Sequence, residues 1–162
     1  MEIGWGLSWL WGLALITVTT AVHAAGVVAI FRGLMRGVRT GRMRDRHMRH
    51  PVVRPVVLIA LVGLLLTLLH GAEAAMWMAA YLLVGAVGSE RDAMLYSLDS
   101  FTTRGASEVL LNPEWRLMGA LEAADGMLLF GISTAFVFAV FQRVIIIIDG
   151  FEEQQQQRPG VK

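Results

Sequence analysis

Polar and apolar residues in this chain are separated into long blocks. Residues 4–30, 55–87 and 115–141 are almost continuously apolar. Each block exceeds the roughly 20 residues that cross a hydrocarbon core about 30 Å thick. The pattern therefore predicts an all-α integral membrane protein with three transmembrane helices. The second block is long enough to tilt or to project beyond the bilayer. The pattern changes between the second and third blocks. Ser89 and Asp92 have capping-box spacing, and Ala93, Met94, Leu95, Leu98 and Phe101 follow. A helix over 89–102 would be about 20 Å long at 1.5 Å per residue. It is too short and too polar to cross, so a chain that enters the membrane here must come back. Non-helical backbone at membrane depth is tolerated only where it is buried in protein or lines a water-filled cavity. A returning helix followed by the Thr/Gly/Ser stretch Thr102 to Glu108 points to a pore.

Composition agrees with the block pattern: 56% of residues are hydrophobic and mean hydropathy is +0.58. The absence of cysteine excludes disulfides and thiolate metal sites. Charge sets the orientation. Arg32, Arg36, Arg39, Arg42, Arg44, Arg46, Arg49 and Arg54 crowd the connection between the first two blocks, with Asp45 as the acid among them. By the positive-inside rule this connection is cytoplasmic, the N-terminus outside and the C-terminus inside. Glu90, Asp92, Glu108 and Glu114 then fall outside. Val22-His23-Ala24 resembles a signal-peptide cleavage site, but Glu2 and the lack of a basic residue before the first block favour a retained helix. Trp5, Trp9 and Trp11 sit where an interfacial aromatic belt would place them.

The expected organisation is a transmembrane helix over 1–31, a basic cytoplasmic amphipathic loop over 32–54, a pore module over 55–143 and a cytoplasmic tail over 144–162. Within the pore module the outer helix takes 55–88, the pore helix and filter 89–108, and the inner helix 115–143. Phe31, Leu34, Met35, Val38 and Met43 interleave with arginine, which suits a helix lying on anionic lipid. Arg36, Arg39 and Arg42 recur every third residue, but lack the run of intervening apolar residues of a voltage sensor. The tail, with Gln154 to Gln157 and Pro159-Gly160, reads as disordered or as a helix extension.

The stretch from Leu69 to Arg143 resembles the pore module of bacterial potassium-channel-family proteins. The resemblance rests on His70-Gly71-Ala72-Glu73, Trp77, Tyr81, Leu95-Tyr96-Ser97 and Thr102-Thr103. It continues through Trp115-Arg116-Leu117, Glu122-Ala123, Gly126, Leu129-Phe130-Gly131 and Ser133-Thr134-Ala135. It implies a homotetrameric ion channel in the bacterial inner membrane, with no enzymatic activity, no cofactor and no nucleic-acid partner. Its ligands would be K+, Na+ or other inorganic cations, with anionic lipids at the basic loop. The family's filter reads Thr-Thr-X-Gly-Tyr-Gly-Asp with X aliphatic. Here Thr102, Thr103 and Gly105 are kept, whereas Arg104, Ala106, Ser107 and Glu108 replace the aliphatic, Tyr, second Gly and Asp. Selection by the family uses stacked carbonyl rings that replace the ion's hydration shell. Ser107 lacks the conformational freedom of glycine, and Ala106 cannot brace the filter as tyrosine does. Weak cation selectivity is the expectation. In the family the side chain at the position of Arg104 points towards the pore helix, where Asp99 is its expected counterion and supports the filter. An arginine on the axis would instead make an anion-permeable pore. A non-conducting scaffold, or a subunit that needs a partner, is the further alternative.

Other charges lie inside the blocks. His70, Glu73, Trp77 and Tyr81 share one helical face, and Glu122 and Asp125 are three apart. His70, Glu73, Trp77 and Glu122 are read as a polar clamp between the second and third spans. A pH-sensitive gate is the functional alternative, and a metal site from His70, Glu73 and Glu122 lacks the full four-helix ligand set. The resemblance assigns Asp125, Gly126, Met127, Phe130, Gly131 and Thr134 to the inner pore and its hinge. A ring of Phe130 side chains would gate by dewetting, and a ring of Asp125 carboxylates would concentrate cations.

Overall fold

A computed structural model describes residues 2–39, 53–105 and 108–156. Four helices account for most of them: α1 (Glu2–Arg39), α2 (Val53–Leu83), α3 (Glu90–Phe101) and α4 (Arg116–Gln156). A single 3-10 turn, Pro113–Trp115, leads into α4. Segments within α1, α2 and α4 are long and apolar enough to cross a membrane.

The helix ends follow local chemistry. α1 does not stop at residue 31, because Arg32 and Arg36 are good helix formers and carry it on to Arg39. Residues 40–52, with Arg42, Arg44, Arg46 and Arg49, lie outside the described residues, as does most of the amphipathic segment expected there. α2 ends at Leu83, earlier than residue 88. Gly85, at φ 67°, makes a Schellman cap: its N–H donates to the Leu82 carbonyl at 3.1 Å and the Ala86 N–H to Tyr81 at 2.8 Å. α3 begins as its sequence predicts, with the Ser89 hydroxyl accepting from the Asp92 N–H at 3.1 Å. α4 runs unbroken past residue 143 to Gln156.

The contacts fix the directions of the helices. Along α1 and α4, Ser8 donates to the Glu114 carbonyl, Thr19 to Asp125, and His23 meets Ser133, so these two helices run parallel. α2 is antiparallel to both: His70 meets Ser133, Trp77 meets Asp125 and Tyr81 meets Glu122. α3 lies between α2 and α4 and runs in the direction of α4, with Ser97 against Glu122 and Phe101 against Gly126. A Cβ on Gly126 would collide with the Phe101 backbone carbonyl, so only glycine allows α4 this close to the end of α3. After α3 the chain returns to where α3 began. The Asn112 N–H donates to the Ala86 carbonyl at 3.1 Å, and its side-chain amide donates to Gly85 at 2.9 Å.

The fold places polar groups inside and apolar groups outside. Thr19, His23, Glu73, Ser97, Glu122 and Asp125 are essentially inaccessible. Leu10, Leu64, Leu68 and Phe138 are each at least half exposed. Water would reject that surface, whereas hydrocarbon accepts it. Trp5, Trp9 and Trp11 are exposed near the start of α1, as an interfacial belt requires.

Candidate functional site

The buried polar side chains form a column along the contact of α1, α2 and α4. α2 contributes His70, Glu73, Trp77 and Tyr81 from one face, at spacings of three and four. α4 contributes Glu122, Asp125 and Ser133, and the eleven steps from Glu122 to Ser133 span about 16 Å of helix. α1 adds Thr19 and His23, one turn apart, and α3 adds Ser97.

Near the start of α4, the Tyr81 hydroxyl donates to Glu122 Oε2 at 2.6 Å. Ser97 Oγ lies against both Glu122 Oε1 and the Ala74 carbonyl. One hydroxyl proton makes at most one strong, linear hydrogen bond. Both short contacts are strong hydrogen bonds when Glu122 itself carries a proton towards Ser97. One turn on, Asp125 Oδ2 accepts from the Thr19 hydroxyl at 2.6 Å and from the Trp77 indole N–H at 3.0 Å. Asp125 Oδ1 is buried with no partner among the described residues. Further on, Glu73 lies between two histidines: Oε1 is 2.9 Å from His23 Nδ1 and Oε2 is 3.1 Å from His70 Nδ1. On their other sides both rings meet Ser133 Oγ, His70 Nε2 at 3.0 Å and His23 Nε2 at 3.2 Å.

The segment after α3 is built differently. Thr103 has φ 56° and Gly105 φ 62°, while Arg104 between them is not in the left-handed region. A positive φ is costly for a β-branched residue such as Thr103. The Arg104 and Gly105 N–H groups both turn to the Asp99 carbonyl, at 2.9 and 3.4 Å. The Arg104 side chain follows the same path. Nε lies 2.7 Å from Asp99 Oδ1, and an Nη donates to Oδ2 at 3.1 Å. The guanidinium–carboxylate pair is two-pronged, with the arginine 65% exposed and the aspartate 12%.

Two expected groupings are rearranged. Glu122 does not join His70, Glu73 and Trp77; it pairs with Tyr81 and Ser97, about one turn nearer the start of α4. Asp125 faces neither an exposed surface nor a lumen of this chain. Thr19 and Trp77 draw its carboxylate into the bundle, because α1 covers that side of α4. Gly126 serves close packing on α3 rather than standing free as a hinge. Met127, Phe130, Gly131 and Thr134 do share an exposed face of α4. The Phe130 ring also reaches His70, at 4.3 Å between centroids, and Phe101, at 5.8 Å. Thr102 and Glu108 are exposed, and Ala106 and Ser107 lie outside the described residues.

Sequence reasoning missed Thr19, His23, Ser97 and Ser133 as parts of the site. The missed signal in α1 was a row: Ser8, Gly12, Thr19 and His23 recur at helical spacing in an otherwise apolar helix, and all four are buried. No protein family, curated protein or solved structure matches this chain.

Proposed function

We propose that this chain is the subunit of a potassium-channel-like pore, a homotetramer in the bacterial inner membrane that passes cations with weak selectivity. The observation that carries the reading is the path of α3 and the segment after it. α3 runs alongside α4, the backbone turns at Thr103 to Gly105, and the chain comes back to Ala86 beside the start of α3. In a membrane this is a re-entrant helix with a returning loop, which requires protein or water around its backbone.

The turn has the polarity a cation path needs. In a trans peptide the carbonyl points opposite to the following N–H. With the Arg104 and Gly105 N–H groups on Asp99, the Thr103 and Arg104 carbonyls point away from α3. Around a four-fold axis such carbonyls would form two rings that replace part of a cation's hydration shell. The C-terminal end of α3 adds negative potential. The Arg104 charge is offset by Asp99, which favours cations over anions. Selectivity is weak because the tyrosine brace and the second glycine of a potassium filter are replaced by Ala106 and Ser107. Met127, Phe130, Gly131 and Thr134 line the inner passage in this assembly, and Phe130 supplies its dewetting constriction. The basic connection faces the cytoplasm and anionic lipid.

The purified chain in liposomes should carry K+ and Na+ at comparable rates, with a reversal potential that follows the cation gradient. A reversal potential that follows chloride would assign the axis to Arg104 instead. No flux of any ion across a range of voltage and pH would favour a scaffold or a partner-dependent subunit.

A further inference from the structure

The His23–Glu73–His70–Ser133 cluster is a closed ring of four contacts. Each contact must hold one proton between its two heavy atoms, or two lone pairs face each other without water. The Ser133 hydroxyl supplies one proton and each neutral imidazole supplies one. A carboxylate supplies none. Three protons cannot close four contacts, so the ring requires a fourth.

Every arrangement of the four protons is electrically neutral as a whole. With Glu73 ionised, one histidine is an imidazolium that donates to Glu73 and to Ser133. The Ser133 hydroxyl then donates to the other, neutral histidine. With Glu73 protonated, the four bonds run round the ring in one sense, and moving all four protons reverses it. Neutrality matters at this position, since His23 and Glu73 are fully buried and an uncompensated charge among apolar helices is costly. Removing the fourth proton leaves a net negative charge and one open contact.

We propose that His23, His70, Glu73 and Ser133 form a proton-binding site that takes up its fourth proton as one unit and thereby fastens α1 to α2 and α4. The site joins all three spanning helices, one residue from α1, two from α2 and one from α4. It has a way out, because Ser133 also lines an open groove with Ile59, Phe130, Thr134 and Phe138. From α4, the further carboxyl beside the site is Asp125, held by Thr19 and Trp77. From α3, the Phe101 ring packs against His70, 5.7 Å between centroids, and Phe130 of α4 lies at 4.3 Å. The proton site therefore touches the end of α3 and the aromatic face of α4. Its consequence for ion flow rests on the channel reading; the proton site itself does not.

The test is imidazole nitrogen NMR on the full-length chain in lipid bilayers, with 15N-labelled histidine, as pH is raised. The expected result is a single step in which the His23 and His70 resonances move together. Glu73→Gln separates proton binding from packing. A glutamine accepts from one Nδ1–H and donates to the other Nδ1, so the ring stays closed with its proton order fixed. This variant should fold, lose the shared step and show His23 and His70 as opposite neutral tautomers. Ser133→Ala should break the coupling between the two rings. Independent titration of His23 and His70 in the native chain would overturn the proposal. So would an unchanged step in Glu73→Gln, or stoichiometric Zn2+ binding that displaces the ring protons at neutral pH.

Discussion

Two polar assemblies in this molecule hold ionisable groups by opposite means. The column between α1, α2 and α4 is buried, and its contacts between helices join residues dozens of positions apart: His23 meets Glu73, Tyr81 meets Glu122, and Thr19 meets Asp125. The Asp99–Arg104 pair joins residues five positions apart, with the arginine exposed and the aspartate largely covered. In the column each group depends on a partner from another helix, so removing one strands another away from water. At the Asp99–Arg104 pair, solvent can reach the arginine and take over part of its role. The column should therefore control whether the helices assemble correctly, and the pair should control the local shape and charge of the segment after α3.

Substitutions can break this contrast, beginning with the largest expected effect. Glu122→Ala removes the acceptor of Tyr81 and the partner of Ser97 and leaves a hole, a cost of about 2–4 kcal/mol. Glu122→Gln should recover most of that loss, because its amide can donate to Ser97 while its carbonyl accepts from Tyr81. Thermal unfolding in detergent should rank native, Gln and Ala in that order; equal loss in both variants would contradict the donor count at Ser97. Gly126→Val drives a side chain into the Phe101 carbonyl and should cost about 1–3 kcal/mol, with α3 displaced from α4. Trp77→Phe takes one of two donors from Asp125 Oδ2, and a loss of about 1–2 kcal/mol is expected in the same assay. Asp99→Asn and Arg104→Leu should cost less than these, about 1 kcal/mol, because the arginine end of the pair is open to solvent. Their effect should appear in ion selectivity. If either unfolds the chain as Glu122→Ala does, the contrast between the two assemblies fails.

What could be read from sequence follows the same division. The limits of α3 and its Ser89–Asp92 cap are local, and spacing alone predicts them; the Asp99–Arg104 pair is also local, but it is the family resemblance that implies it. The common face of His70, Glu73, Trp77 and Tyr81 was legible because helical period fixes it. Their partners were not. Period says which residues share a face, but not which helix covers that face. Placing α1 against α4 brings Thr19 to Asp125 and His23 to Ser133, and it turns Asp125 away from the inner-pore role that the family resemblance implied. The end of α1 lies beyond the apolar block for a related reason. Hydropathy marks where the apolar block stops, whereas a helix continues through arginines that suit it equally well.

In the proposed channel, the returning segment after α3 is the part that conducts cations. Its most direct test is the reversal potential of the purified native chain in planar bilayers under a KCl gradient, repeated with Arg104→Leu. A cation-conducting segment gives a potential near that of K+ for the native chain, little discrimination when Na+ replaces K+, and retained cation current in the variant. A potential at the chloride value that collapses in Arg104→Leu, or a native chain silent under every condition, would contradict it.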